Sequence, residues 1–141
     1  MPWQESYETG ITSVDLQHRR LFDRIERVHT FAQKKEYSEK EREEIRDIMA
    51  DLENYVAAHF TLEERLMQDN NYPQLEEHIR EHEKFTEKIN SLMSSLEGTL
   101  AGEDAKITEF LQDLSHFLEN WLKGHILVKD FAYVPYIKSE H

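Results

Sequence analysis

Apolar residues recur every three or four positions through most of this chain, the spacing that lines one face of an α-helix. Leu16, Phe22, Ile25, Val28 and Phe31 predict a first helix, from near Thr12 or Ser13 to near Lys35. Ile45, Ile48, Met49, Leu52, Tyr55, Val56 and Phe60 predict a second, reaching about Gln68. A third carries Leu75, Ile79, Phe85, Ile89, Leu92 and Leu96, and a fourth carries Ile107, Phe110, Leu111, Leu114, Leu118, Trp121 and Leu122. No stretch of useful length alternates as a β-strand does.

Stop and start signals sharpen these limits. Ser38 with Glu41, and Thr12 with Asp15, have capping-box spacing. Asp69-Asn70-Asn71 reads as a turn, Pro73 suits the first position of the third helix, and Gly98 suits its C-cap. Gly102 to Asp104 opens the fourth helix, and the helical pattern ends around Asp130 to Pro135. Four helices with short connections predict an all-α fold, an up-down-up-down antiparallel four-helix bundle. We therefore read residues 1–141 as one domain: an aromatic N-terminal arm over 1–11 (Trp3, Tyr7), a bundle over 12–130 and a tail over 131–141. The arm is expected to pack on its own bundle.

Charge and composition narrow the partners. The 141 residues carry a formal charge of −12, which disfavours nucleic acid and anionic lipid and favours a monomer. No apolar run approaches the length of a membrane span, so membrane insertion is not expected. Cysteine is absent, which excludes disulfides, thiolate zinc sites, iron–sulfur clusters and thioether-bound haem. The start Met1-Pro2-Trp3-Gln4-Glu5 has neither a basic nor an apolar stretch, so a signal peptide is not expected and the cytoplasm is the predicted location.

The chemistry lies in the histidines. There are eight, and five form a pattern with two carboxylates: His18 on the first helix, His59 with Glu63 on the second, His78 with His82 on the third, and His125 with Asp130 on the fourth. On an α-helix a step of four residues returns to within about 40° of the same direction, one turn along, so both members of such a pair can reach one centre. The five-residue step from His125 to Asp130 leaves about 140° between them. It predicts that the fourth helix loosens, bulges or ends near Asp130. A lone histidine is usually surface or hydrogen-bonded core. Pairs on separate helices, in register and beside carboxylates, point to a metal. Of the other histidines, His116 faces away from His125, His29 lies three turns from His18, and His141 is terminal. Glu64 is expected to turn off the ligand face, and Asp15 either orients an imidazole or caps the first helix.

Imidazole and carboxylate without thiolate suit iron, and also manganese or zinc. Seven ligands are too many for one ion. If two ions share both carboxylates, five imidazole bonds and four carboxylate bonds make nine, and an oxo or hydroxo bridge adds two. Two octahedra need twelve, so one position stays open for a small molecule. Zinc prefers four ligands and has no redox chemistry, which makes it the poorer candidate. Ferritin-like sites need two Glu-x-x-His motifs, and this chain has one, Glu26 with His29.

The chain resembles the hemerythrin family, in its single-domain bacterial branch. The resemblance is carried by Trp3, the run from Gly10 to His18, His59-Phe60-Thr61-Leu62-Glu63, Tyr72-Pro73 before His78 and His82, Trp121-Leu122-Lys123-Gly124-His125, and Asp130-Phe131. It implies two iron ions, cycling between Fe2+ and Fe3+ and joined by an oxo or hydroxo bridge. His78, His82 and His125 would bind one iron, His18 and His59 the other, and Glu63 and Asp130 would bridge. It further implies reversible dioxygen binding for carriage, storage or delivery, with Leu122 over the oxygen pocket. Phe22, one turn after His18, is expected to help keep that pocket dry. An oxygen-consuming protein is the expected recipient. The alternatives are an oxygen or redox sensor, or a scavenger of peroxide or nitric oxide using the same ligands. No second acid–base cluster, nucleophile or cleft is legible, so an enzyme is not expected.

Overall fold

The computed structural model describes residue 7 and residues 9–121, 123–125 and 132–136. Four helices follow one another: α1 (Thr12–Ala32), α2 (Glu39–Asp69), α3 (Leu75–Leu100) and α4 (Asp104–Trp121). A one-turn 3₁₀ helix at Val134–Tyr136 follows. α1 packs on α4 and α2, and α3 packs on α2 and α4, which closes an up-down-up-down four-helix bundle. None of the helices among the described residues is long and apolar enough to cross a membrane.

The predicted stripes are the buried faces. Val14, His18, Leu21, Phe22, Ile25, Val28 and Phe31 turn inward from α1, and Ile45, Met49, Leu52, Val56, His59, Phe60 and Glu63 from α2. Leu16 departs furthest, at 48% exposed, and Tyr55, Leu75, Ile79, Leu92 and Trp121 are only half-buried. The core has two parts. The larger runs from Phe31, Ile45 and Leu100 at one end to Phe60 and Phe85. The smaller gathers Ile11, Val14, Met67, Tyr72 and Tyr133 at the other end. The buried histidines lie between these clusters. The N-terminal arm is described at Tyr7, whose ring packs on Phe22 with centroids 5.4 Å apart; Trp3 lies outside the described residues.

Several helix ends differ from the sequence reading. Ser38 and Glu41 do form a reciprocal capping box at the start of α2. Thr12 and Asp15 do not. The N-cap of α1 is Ile11, and the Asp15 carboxylate instead accepts from Thr9 N–H, the Thr9 hydroxyl and Gly10 N–H. Asp15 thus fastens the incoming arm, and Gly10, at φ 87, permits the turn that brings it there. α2 ends at Asp69 with Asn70 as its C-cap, and Asn71 after it takes a left-handed φ of 54, a conformation asparagine tolerates. Pro73 sits in the following turn, and α3 begins two residues later. Gly98 stays inside α3, because Arg42 reaches across from α2 to the carbonyls of Leu100 and Gly102 and extends the stable helix to Leu100.

The fourth helix departs most. Its α-helical part stops at Trp121, and residues 123–125 adopt π geometry. The loosening therefore begins before His125, upstream of the predicted place. Such bulges re-aim side chains and concentrate at functional sites. Asp130 lies outside the described residues.

Candidate metal centre

Five imidazoles and one carboxylate meet in the interior. His18 comes from α1, His59 and Glu63 from α2, His78 and His82 from α3, and His125 from the π segment after α4. Each is at most 4% exposed. Their ligand-type atoms form two groups, each with all members within 4.8 Å of one another: Glu63, His78, His82 and His125 in one, and His18, His59 and Glu63 in the other. Glu63 belongs to both, with its Oε1 3.1 Å from His59 Nε2 and 3.5 Å from His82 Nε2, and its Oε2 3.9 Å from His18 Nε2.

The outer nitrogens show which lone pairs face inward. His59 Nδ1 lies 2.7 Å from Gln17 Oε1, His82 Nδ1 2.7 Å from Glu64 Oε2, and His125 Nδ1 3.0 Å from Glu81 Oε2. A carboxylate only accepts, so the Nδ1 protons of His82 and His125 belong to these contacts. Each Nε2 then presents a lone pair to the interior. His82 Nε2 and His125 Nε2 are 3.2 Å apart. Two facing lone pairs at that distance repel, and a cation between them turns the repulsion into ligation. A buried carboxylate adds the same demand, since desolvated negative charge needs a partner of opposite sign. The donor set of nitrogen and oxygen atoms fits a first-row transition ion.

The three outer contacts form a series. Gln17 precedes His18 on α1 but holds His59 of α2. Glu64 follows Glu63 on α2 but holds His82 of α3. Glu81 precedes His82 on α3 but holds His125 beyond α4. A residue adjacent to an inward-facing one is rotated by about 100°, which aims it at the next helix of the bundle. Such contacts fix ring orientation and raise ligand basicity. Sequence reasoning missed Gln17 and Glu81 and set Glu64 aside as pointing away. Adjacency to a predicted ligand was the signal available. Tyr133 was also missed: it is fully buried and its hydroxyl donates to Glu63 Oε2 at 3.0 Å.

Aromatic rings wall the centre. Phe60 stacks on the His82 ring (centroids 3.8 Å, planes 5° apart) and Trp121 on the His125 ring (4.0 Å, 14°). Phe22 is buried in the larger core cluster with Phe60. Leu122, like Asp130, lies outside the described residues. Neither His29 nor His116 belongs to a donor group. His29 is half exposed and contacts Gln33 at 2.7 Å, while His116 is exposed on α4.

Comparison with known proteins gives one answer. The family model described as the hemerythrin HHE cation binding domain matches residues 9–137. A bacteriohemerythrin of Clostridium acetobutylicum is 30% identical over 132 residues, which is 94% of this chain and 97% of that protein. Hemerythrin subunit alpha of Lingula anatina is 30% identical over 131 residues, 93% of this chain and 90% of that protein. A crystal structure of wild-type hemerythrin superposes with a TM-score of 0.80 at 28% identity, over 99% of this chain and 98% of the other.

Proposed function

Because this chain belongs to the hemerythrin family, we propose that it holds two iron ions and binds dioxygen reversibly at them, as a carrier or store and not as an enzyme. The observation that carries this reading is the membership of Glu63 in both donor groups. One carboxylate shared by two sets of imidazoles is what a pair of ions needs, and a single ion does not.

In this reading His78, His82 and His125 would hold one iron, His18 and His59 would hold the other, and Glu63 and Asp130 would serve both. When bound, the iron pair supplies an open coordination position for dioxygen and two electrons that it can take back. The remaining work falls to the chain. Gln17, Glu64 and Glu81 hold the imidazoles of His59, His82 and His125 with their Nε2 lone pairs inward. The Tyr133 hydroxyl donates to Glu63 Oε2, which fixes the carboxylate's orientation and disperses its charge. Phe60, Trp121, Phe22 and Leu122 exclude water, and a dry pocket limits the stray proton transfer that would make oxygen loss irreversible. The absence of a second acid–base cluster from the sequence favours binding over turnover.

Anaerobic titration with ferrous iron, followed by metal analysis, tests the premise. Two ions per chain are expected. A plateau at one ion contradicts the shared-carboxylate reading, and a plateau at many ions points to iron storage.

A further inference from the structure

Three tyrosines lead from the buried centre to the surface. Tyr133 is fully buried and hydrogen-bonded to Glu63. Its ring meets that of Tyr72 edge to face, with centroids 6.1 Å apart. Tyr72 is 8% exposed and meets Tyr136 in the same manner at 5.1 Å. Tyr136 is 43% exposed, one of two large apolar residues so exposed among those described. Both separations are those of rings in direct contact. Tyr133 also lies edge to face with His78 at 6.0 Å. Packing alone asks for apolar rings at these positions. It does not ask for three phenols in series, each more exposed than the last.

Phenols differ from other core rings in being readily oxidised by one electron with loss of a proton. We infer that Tyr133, Tyr72 and Tyr136 form an electron relay between the metal site and the surface. This rests on the iron reading above. Its chemical use is to drain oxidising equivalents that a peroxide generates at the centre. One electron leaves Tyr133 toward the metal site, and its proton passes along the existing hydrogen bond to Glu63 Oε2. An electron from Tyr136 then refills Tyr133 through the bridging ring of Tyr72. The proton on Glu63 returns to Tyr133, and Tyr136 releases its own proton to water. A small hydrogen-atom donor, such as a thiol or ascorbate, restores Tyr136 by giving up one hydrogen atom. In sum the donor loses a hydrogen atom, the metal site gains an electron and water gains a proton.

The test treats iron-loaded protein with hydrogen peroxide, without a donor, and maps oxidised side chains by peptide mass spectrometry. Zinc-loaded protein, which has no redox metal, gives the background. Modification, including dityrosine cross-links, is expected at Tyr136 in the iron form. In Tyr72→Phe, with two irons per chain verified, it is expected to fall to the zinc background. If Tyr72→Phe fails to hold iron, Tyr136→Phe serves instead: oxidation must then accumulate at Tyr72 and Tyr133. Equal Tyr136 modification in wild type and Tyr72→Phe overturns the relay while leaving the oxygen-binding reading intact. So does equal modification in the iron and zinc forms, or oxidation confined to Trp121 and Tyr55, oxidisable rings that stack on His125 and His59 of the cluster. A wild-type chain that takes up no iron pair overturns both.

Discussion

Replacing Glu64 by alanine removes a carboxylate that touches no predicted metal position, yet it should weaken metal binding more than it weakens the fold. Glu64 Oε2 accepts from His82 Nδ1 at 2.7 Å, a short contact of the charge-assisted kind. Its side chain is 32% exposed, so solvent screens part of the interaction. Loss of such a partner typically lowers metal affinity by about 10–100-fold. Because of the exposure we expect the low end, about tenfold or ~1.4 kcal/mol. Stability of the metal-free fold should change by about 0.5 kcal/mol or less, as at other partly exposed positions. Glu64→Gln, which can still offer an oxygen to Nδ1, should recover part of the loss. The assay is anaerobic competition for ferrous iron against a chelator, with thermal melting of the metal-free protein alongside. Unchanged iron affinity with a clearly lowered melting temperature would refute the reasoning, because it would make Glu64–His82 an ordinary structural ion pair.

Other perturbations have distinct signatures. Phe60→Ala removes a ring packed against His82, Phe85 and Trp121, and should cost about 3–5 kcal/mol of fold stability by denaturant melting. Tyr133→Phe removes the hydroxyl on buried Glu63, and should weaken iron retention against a chelator by an amount in the range of about 1.5–3 kcal/mol. Leu122→Ala should speed autoxidation of the oxygenated protein, followed as decay of its visible band; an unchanged rate speaks against a gating role. At the far end of the bundle, Lys34 and the Ser38 backbone hold the Glu41 carboxyl down to about 2, from 4.5. A depressed folded-state pKa contributes stability that is present above the unfolded value and lost as pH falls from 4.5 toward 2. Glu41→Gln should therefore flatten the acid limb of the metal-free protein's stability profile in that window.

How far the sequence could be read depended on distance along the chain. The four helices followed from apolar spacing because each burial pattern repeats within its own element. His59 with Glu63, and His78 with His82, stood out because a step of four residues brings two donors to one face; His18 and His125 were legible only as the donors that the other two helices add to that set. Gln17, Glu64 and Glu81 were opaque because each serves an imidazole on another helix, and that depends on how the helices are rotated against one another. Tyr133 lies in a short segment without periodicity, so nothing local marked it as buried. The π geometry at residues 123–125 was foreshadowed only by the awkward step from His125 to Asp130. Helix ends went wrong where a tertiary contact decided them, as when Arg42 secured the last carbonyls of α3 beyond Gly98. Thr12 and Asp15 had the right spacing for a cap, but the arm reached the carboxylate first.

The most direct test of the central claim is the visible spectrum of the iron-loaded protein taken through reduction, exposure to oxygen and degassing. The account predicts a charge-transfer band that appears with oxygen and disappears on degassing, through repeated cycles. Direct conversion to a diferric spectrum that degassing does not reverse would contradict reversible oxygen binding, and would favour a sensor or scavenger built on the same ligands.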